Sequence, residues 1–211
     1  MSLPISFPHL WYPSTSGSRK ALMIVLHGRG DSPEGFTWLP STLQIPELNY
    51  LLIQAPDDYY DGYSWYDLPP DQLPGILHSR ILLEQLFVEL SEEGFKPEQC
   101  FLFGFSQGCL MTLEFGSRFP NLLKGYIGIS GYCYDVKKLM EEAVRTVIHQ
   151  GNWLITHGTL DDVLSVQTTR EQMQELMNQG FKMDYQEYRK SHTIDENVEL
   201  PYIRDWILKR I

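Results

Sequence analysis

Only three cysteines, Cys100, Cys109 and Cys133, occur among the 211 residues, and no two stand in a CxxC spacing. Three thiols cannot all pair within one chain, so neither a disulfide framework nor a zinc site is suggested. Long apolar runs are missing as well. The longest, Ala21–Leu26, falls far short of the roughly 20 residues that span a bilayer, so no membrane insertion is expected. Positive charge is scarce: 17 Lys and Arg face 27 Asp and Glu, for a net charge of -10. That balance repels a phosphate backbone and an anionic lipid surface alike, which argues against nucleic-acid partners. The N-terminal stretch MSLPISFPHLWYP has neither a basic leader nor an apolar segment ending at a small-residue cleavage site, and a cytoplasmic protein is the expectation. No internal repeat, linker or low-complexity tract interrupts the chain.

What is present is a near-average globular composition, 43% hydrophobic and 21% charged, enough for one domain over residues 1–211 with a well-covered core. Short apolar, β-rich runs alternate with longer helix-like segments, the pattern of crossover units around a mainly parallel sheet with helices on both faces. Strands are expected at Ala21–Leu26, Tyr50–Gln54, Cys100–Phe105, Gly125–Ile129, Trp153–His157 and Lys182–Tyr188. The intervening helices are expected at Ile76–Leu90, Gln107–Arg118, Val136–Val147, Val166–Gln179 and Val198–Arg210. Ile5–Tyr12 adds a candidate antiparallel edge strand, limited by Pro4, Pro8 and Pro13.

Gly104-Phe105-Ser106-Gln107-Gly108 follows the run CFLFGF and opens a helical segment. A Gly-x-Ser-x-Gly pentapeptide arises by chance in roughly one chain in fifteen of this length, so its placement between strand and helix carries the weight. There a serine on a tight, strained turn stands above the sheet, and flanking glycines let strand and helix approach without a Cβ clash. The competing reading is an ordinary serine N-cap. Ser130, in Gly128-Ile129-Ser130-Gly131, also ends a strand but has no helix directly behind it.

Serine needs a base that titrates near neutrality, and six histidines compete. His9, His78 and His149 lie in a leader, a helix and a helix end, where solvation accounts for them. His27 and His157 each close a strand before a glycine and read as turn-shaping residues. His192 falls between the last strand and the last helix, beyond the carboxyl end of a strand, where open α/β sheets place their sites. Asp161, with Asp162 as a neighbouring competitor, follows the preceding strand and supplies the acid that holds the base's tautomer. The order Ser, Asp, His is that of α/β-hydrolases. His27-Gly28-Arg29-Gly30-Asp31 follows the first strand, where glycines free the backbone to aim an N–H at a substrate carbonyl. A phosphate loop is the alternative for it, and the GxxxxGK[ST] pattern is lacking.

With HGRGD, WYD at Trp65-Tyr66-Asp67, GFSQG, HGTLD and SHT in that order, the chain resembles the phospholipase/carboxylesterase family of α/β-hydrolases. The resemblance implies a minimal α/β-hydrolase fold with no cofactor or metal, and too few residues lie between the strand Gly125–Ile129 and the helix from Val136 for a substantial cap domain. The resemblance also implies hydrolysis of a small acyl ester or thioester through an acyl-serine. By position, Ser106 resembles the nucleophile, Asp161 the acid and His192 the base, with the backbone N–H groups of Arg29 and Gln107 as oxyanion donors. The chain departs from the family at Asp162, where proline is common, and at Ser191 and Cys109, where glycine is usual. Only Leu68–Pro74 separates Trp65-Tyr66-Asp67 from the next helix, whereas thioesterase members have a longer loop that shelters a fatty acyl chain. The expectation is a carboxylesterase for short to medium acyl groups, with an acyl-protein thioesterase or lysophospholipase as the alternative and a non-catalytic binding protein behind both. Trp65 and Tyr66, within a tyrosine-rich loop, are expected to wall the substrate pocket. A homodimer is compatible with the sequence but not legible in it.

Overall fold

Continuous apolar runs suit strands whose two faces are both covered, and the computed structural model, which describes residues 3–211, places them so. Seven strands form one sheet: β1 (His9–Tyr12), β2 (Ala21–Leu26), β3 (Leu48–Ile53), β6 (Cys100–Phe105), β7 (Gly125–Ile129), β8 (Trp153–Gly158) and β9 (Met183–Tyr188). Their order is β1-β3-β2-β6-β7-β8-β9. Every neighbouring pair is parallel except β1 with β3. The residue alternation in β2 shows why: Leu22, Ile24 and Leu26 belong to one hydrophobic layer, while Ala21, Met23 and Val25 belong to the opposite one. The first layer is covered by α2 (Gln72–Glu92), α3 (Gln107–Gly116), α4 (Val136–Glu142), α5 (Arg145–Gln150) and α6 (Val166–Asn178). The second is covered by α1 (Leu39–Leu43) and α7 (Glu199–Leu208).

Four expectations shift in detail. The helix expected from Ile76 begins at Gln72, because Pro74 falls in the first turn, where backbone N–H groups have no intrahelical partner to lose. The tie between Tyr66 and α2 is correspondingly short. It passes close over Gly75, where a Cβ would lie 2.7 Å from the Tyr66 Cα. The helix expected over Val136–Val147 is two helices. The Val144 N–H donates to the Ser117 carbonyl at the end of α3 (2.8 Å), which holds residues 143 and 144 extended. The tyrosine-rich loop contains a hairpin, β4 (Asp57–Tyr59) with β5 (Gly62–Ser64).

The edge strand is shorter than Ile5–Tyr12, starting after Pro8, whose carbonyl accepts from Gln54 N–H. No helix among the described residues is long and apolar enough to cross a membrane.

Candidate active site

The C-terminal ends of the central strands converge on Ser106. It sits between β6 and α3 with φ 54° and ψ -112°, a left-handed conformation that costs a residue with a Cβ of order 1–3 kcal/mol. The turn is held by the Ser106 N–H donating to the Ile129 carbonyl (2.9 Å) and by Cys109 N–H donating to the Ser106 carbonyl (3.0 Å). Both glycines of the pentapeptide have a steric reason. A Cβ on Gly104 would lie 2.0 Å from the Gly108 carbonyl oxygen, and one on Gly108 would lie 2.1 Å from that of Leu26.

The Ser106 Oγ lies 2.9 Å from His192 Nε2, and His192 Nδ1 lies 2.8 Å from Asp161 Oδ2. With Nδ1–H donating to the carboxylate, Nε2 is free to accept the serine proton. Asp161 is enclosed, its side chain fully buried. Its Oδ1 accepts from the N–H groups of Val163 (3.0 Å) and Leu164 (2.8 Å). Burial alone would raise its pKa, but these donors and the His192 ring outweigh burial and hold the carboxyl below its usual range. Asp162 points into solvent. Ser130 is buried, its Oγ without a partner among the described residues, so no substrate reaches it.

His27 and His157 shape turns, as expected. The His27 Nδ1 donates to the Gly28 carbonyl (2.7 Å) and its Nε2 accepts from Ala55 N–H (3.1 Å). His157 lies fully buried beneath Asp161, its Nε2 3.1 Å from the Leu164 carbonyl and 3.5 Å from Asp161 Oδ2. Burial lowers the pKa of both rings.

Arg29 and Gln107 flank Ser106. Gln107 is the first residue of α3, and Gly28, beside Arg29, packs so close that a Cβ there would lie 3.4 Å from the Ser106 Cβ. Among the described residues neither main-chain N–H donates a hydrogen bond. The loop is held from outside by the hairpin, through Gly30 N–H to the Tyr63 carbonyl (2.8 Å) and Tyr63 N–H to the Asp31 carbonyl (2.9 Å). The Arg29 guanidinium lies over the Tyr59 ring, 4.0 Å from its centroid.

Trp65 and Tyr66 depart from expectation. Both residues are buried, 0% and 1% exposed. Trp65 Nε1 donates to the His27 carbonyl (2.9 Å), its own N–H donates to Gln107 Oε1 (2.9 Å), and Gln107 Nε2 donates to the Tyr66 carbonyl (2.7 Å). Ser79 Oγ completes the brace on the Trp65 carbonyl (2.6 Å). These aromatics are large enough to need the core, and Trp65 Nε1 together with the main chain of residues 65 and 66 ties His27 to the first residue of α3. The Gln107 and Ser79 side chains were not singled out from sequence, since a variable motif letter and a helix-interior serine carry no signal of such roles. All three thiols are buried, and burial pushes Cys109, behind the elbow, up to about 12. Among the described residues no group of three or more His, Cys, Asp or Glu is arranged to hold a metal ion.

A model of the Phospholipase/Carboxylesterase family matches residues 13–211. The chain belongs to this family. As a member of the phospholipase/carboxylesterase family it is an ester-cleaving serine hydrolase. Acyl-protein thioesterase 1 of Schizosaccharomyces pombe is 28% identical over 162 residues, 71% of this chain and 72% of that protein. Carboxylesterase SOBER1 of Arabidopsis thaliana is 26% identical over 214 residues, 91% of each. The crystal structure of esterase PE8 superposes with a TM-score of 0.85 at 27% identity, covering 98% of this chain and all of that one.

Proposed function

We propose that this hydrolase cleaves carboxylic esters of short to medium acyl chain through an acyl intermediate on Ser106. The observation that carries it is the unbroken chain Ser106 Oγ, His192, Asp161, with links of 2.9 and 2.8 Å. His192 Nε2 takes the hydroxyl proton as Oγ attacks the ester carbonyl carbon. The N–H groups of Arg29 and Gln107 receive the oxyanion, and the buried Asp161 carboxylate stabilises the imidazolium. The proton then passes to the departing alkoxide. In the second half His192 deprotonates water, which attacks the acyl carbon, and the imidazolium returns that proton to the Ser106 Oγ as the acyl–oxygen bond breaks.

Chain length is argued from the walls. Only residues 68–71 separate Trp65-Tyr66-Asp67 from α2, and only residues 130–135 separate β7 from α4, too few for a cap or a deep acyl sleeve. Each buried methylene contributes about 0.8 kcal/mol, roughly fourfold in kcat/KM, so selectivity should level off early. The acyl-protein thioesterase relatives keep a second reading in view, since the same steps expel a thiolate. We place the protein in the cytoplasm as one domain.

The test is turnover of acyl esters and acyl thioesters from acetyl to palmitoyl, each below its micelle concentration, with fluorophosphonate labelling alongside. Wild type should label once, Ser106→Ala not at all, and kcat/KM should plateau at medium length. A steady climb to palmitoyl would replace the short-acyl reading with the lysophospholipase or thioesterase one. Labelling that survives Ser106→Ala would remove Ser106 as nucleophile.

A further inference from the structure

His192 is carried by residues 189–198, which link β9 to α7 without regular structure. Such a segment holds a ring within hydrogen-bond reach of two partners only if something else pins it. The strongest pin is a charge pair sealed beneath the loop. Lys190 is 4% exposed and Glu199 0%. The Lys190 Nζ donates to both Glu199 oxygens, each at 2.7 Å, and to the carbonyl of Thr193, the residue after the base, at 2.7 Å. Glu199 Oε2 also accepts from Asp195 N–H (2.9 Å), tying the far end of the loop to the first turn of α7. The Lys190 carbonyl accepts from Leu160 N–H (3.0 Å), one residue before Asp161. One lysine therefore joins the acid's loop, the base's loop and the last helix.

We propose that the Lys190–Glu199 pair is a positioning device for the reaction, fixing the His192 loop against the Asp161 loop while presenting a balanced charge to the triad. The proposal rests on the reading of His192 as the base. A buried ion pair adds little stability over well-packed neutral side chains of similar size, so stability alone gives little reason for placing one here. Its geometry does, because each of the three ammonium hydrogens has a partner on a segment that must not move. Its field matters too. Lys190 lies within electrostatic reach of Asp161, His157, Cys109 and Asp195, and Tyr188 feels Glu199. Burial lowers the lysine's pKa while the Glu199 carboxylate opposes that. Remove the carboxylate, and an uncompensated cation disfavours the imidazolium. Remove the ammonium, and an uncompensated anion favours it.

The experiment compares wild type with Lys190→Met, Glu199→Gln and the double variant, measuring kcat and KM on one short ester across pH, with melting curves to certify the folded fraction. The double variant keeps the test decisive if a single one fails to fold, since removing both charges leaves neither unpaired. We expect kcat to fall about tenfold or more in the double variant with KM within about threefold of wild type, the pattern of a displaced base rather than a lost binding contact. The acid limb of kcat/KM should move to lower pH in Glu199→Gln and to higher pH in Lys190→Met, and return towards wild type in the double variant. A structural role alone would lower the melting temperature and leave these limbs in place. A folded double variant with wild-type kcat, or single variants whose acid limbs coincide with wild type, overturns the proposal. If wild type itself neither turns over esters nor labels at Ser106, it is the functional reading that has failed.

Discussion

Asp161 and Asp162 are chemically identical neighbours, and one turn of backbone separates their fates. Asp161 is sealed beneath His192 with three hydrogen-bond donors on its carboxylate, while Asp162 is solvated. Asp161→Asn should therefore cost about 10⁴ in kcat, because an amide favours the wrong ring tautomer, and Asp162→Asn should change kcat by less than about twofold. Steady-state kinetics on a single ester decides it; a large loss confined to Asp162→Asn reverses the roles. Sequence reasoning could single out Ser106 and His192 as candidates, and the fold brings them within 2.9 Å, because nucleophile and base chemistry is restricted to few residue types at the ends of strands. It could not separate the two aspartates by chemistry, since burial is set by how the loop after β8 folds back over its own carboxylate. Motif position alone favoured Asp161.

At the scale of elements, strands with continuous apolar runs were legible nearly to the residue, as β2, β6 and β7 show. The short pieces were not. The hairpin β4–β5 offers three residues per strand, too few to display alternation, and one of its turn residues at positive φ is Tyr60 rather than the glycine or asparagine that flags such turns. That hairpin and the buried brace behind it are what hold loop 27–31 in place beside Ser106, so the local readings missed its support. The brace makes a prediction distinct from that of a pocket wall. Trp65→Phe removes the donor to the His27 carbonyl and leaves a small cavity, letting loop 27–31 shift. It should lower kcat/KM roughly tenfold by the same factor for every acyl length, with a reduced melting temperature. A loss that grows with acyl length would put Trp65 on the substrate wall.

Across the whole molecule, the two-layer packing that makes the sheet a rigid platform also buries titratable rings, and acid should find them. His27 and His157 are held neutral in the folded state, their pKa values lowered from 6.5 chiefly by burial. The unfolded chain binds a proton at each ring as pH falls through about 6.5, while the folded protein does not until its own lower value is reached. Their contribution to stability is thus complete above that range and is lost on acidification. Each ring takes away up to about 1.4 kcal/mol per pH unit inside its window. Asp161 acts in the same direction at lower pH, since its depressed pKa makes its contribution present above the unfolded value and lost as pH falls through the folded one. Geometry agrees with the sign: protonated His27 would turn its Nε2, the acceptor of Ala55 N–H, into a second donor facing it. Calorimetric melting from about pH 8 to about pH 5 should show a flat region followed by a decline that steepens below pH 6.5. His27→Gln, which keeps an acceptor without a titrating ring, should start from a lower melting temperature but decline less steeply. A melting temperature that stays level through pH 5.5, or a variant whose slope matches wild type, would show that these rings accept protons in the folded protein as readily as in the unfolded chain.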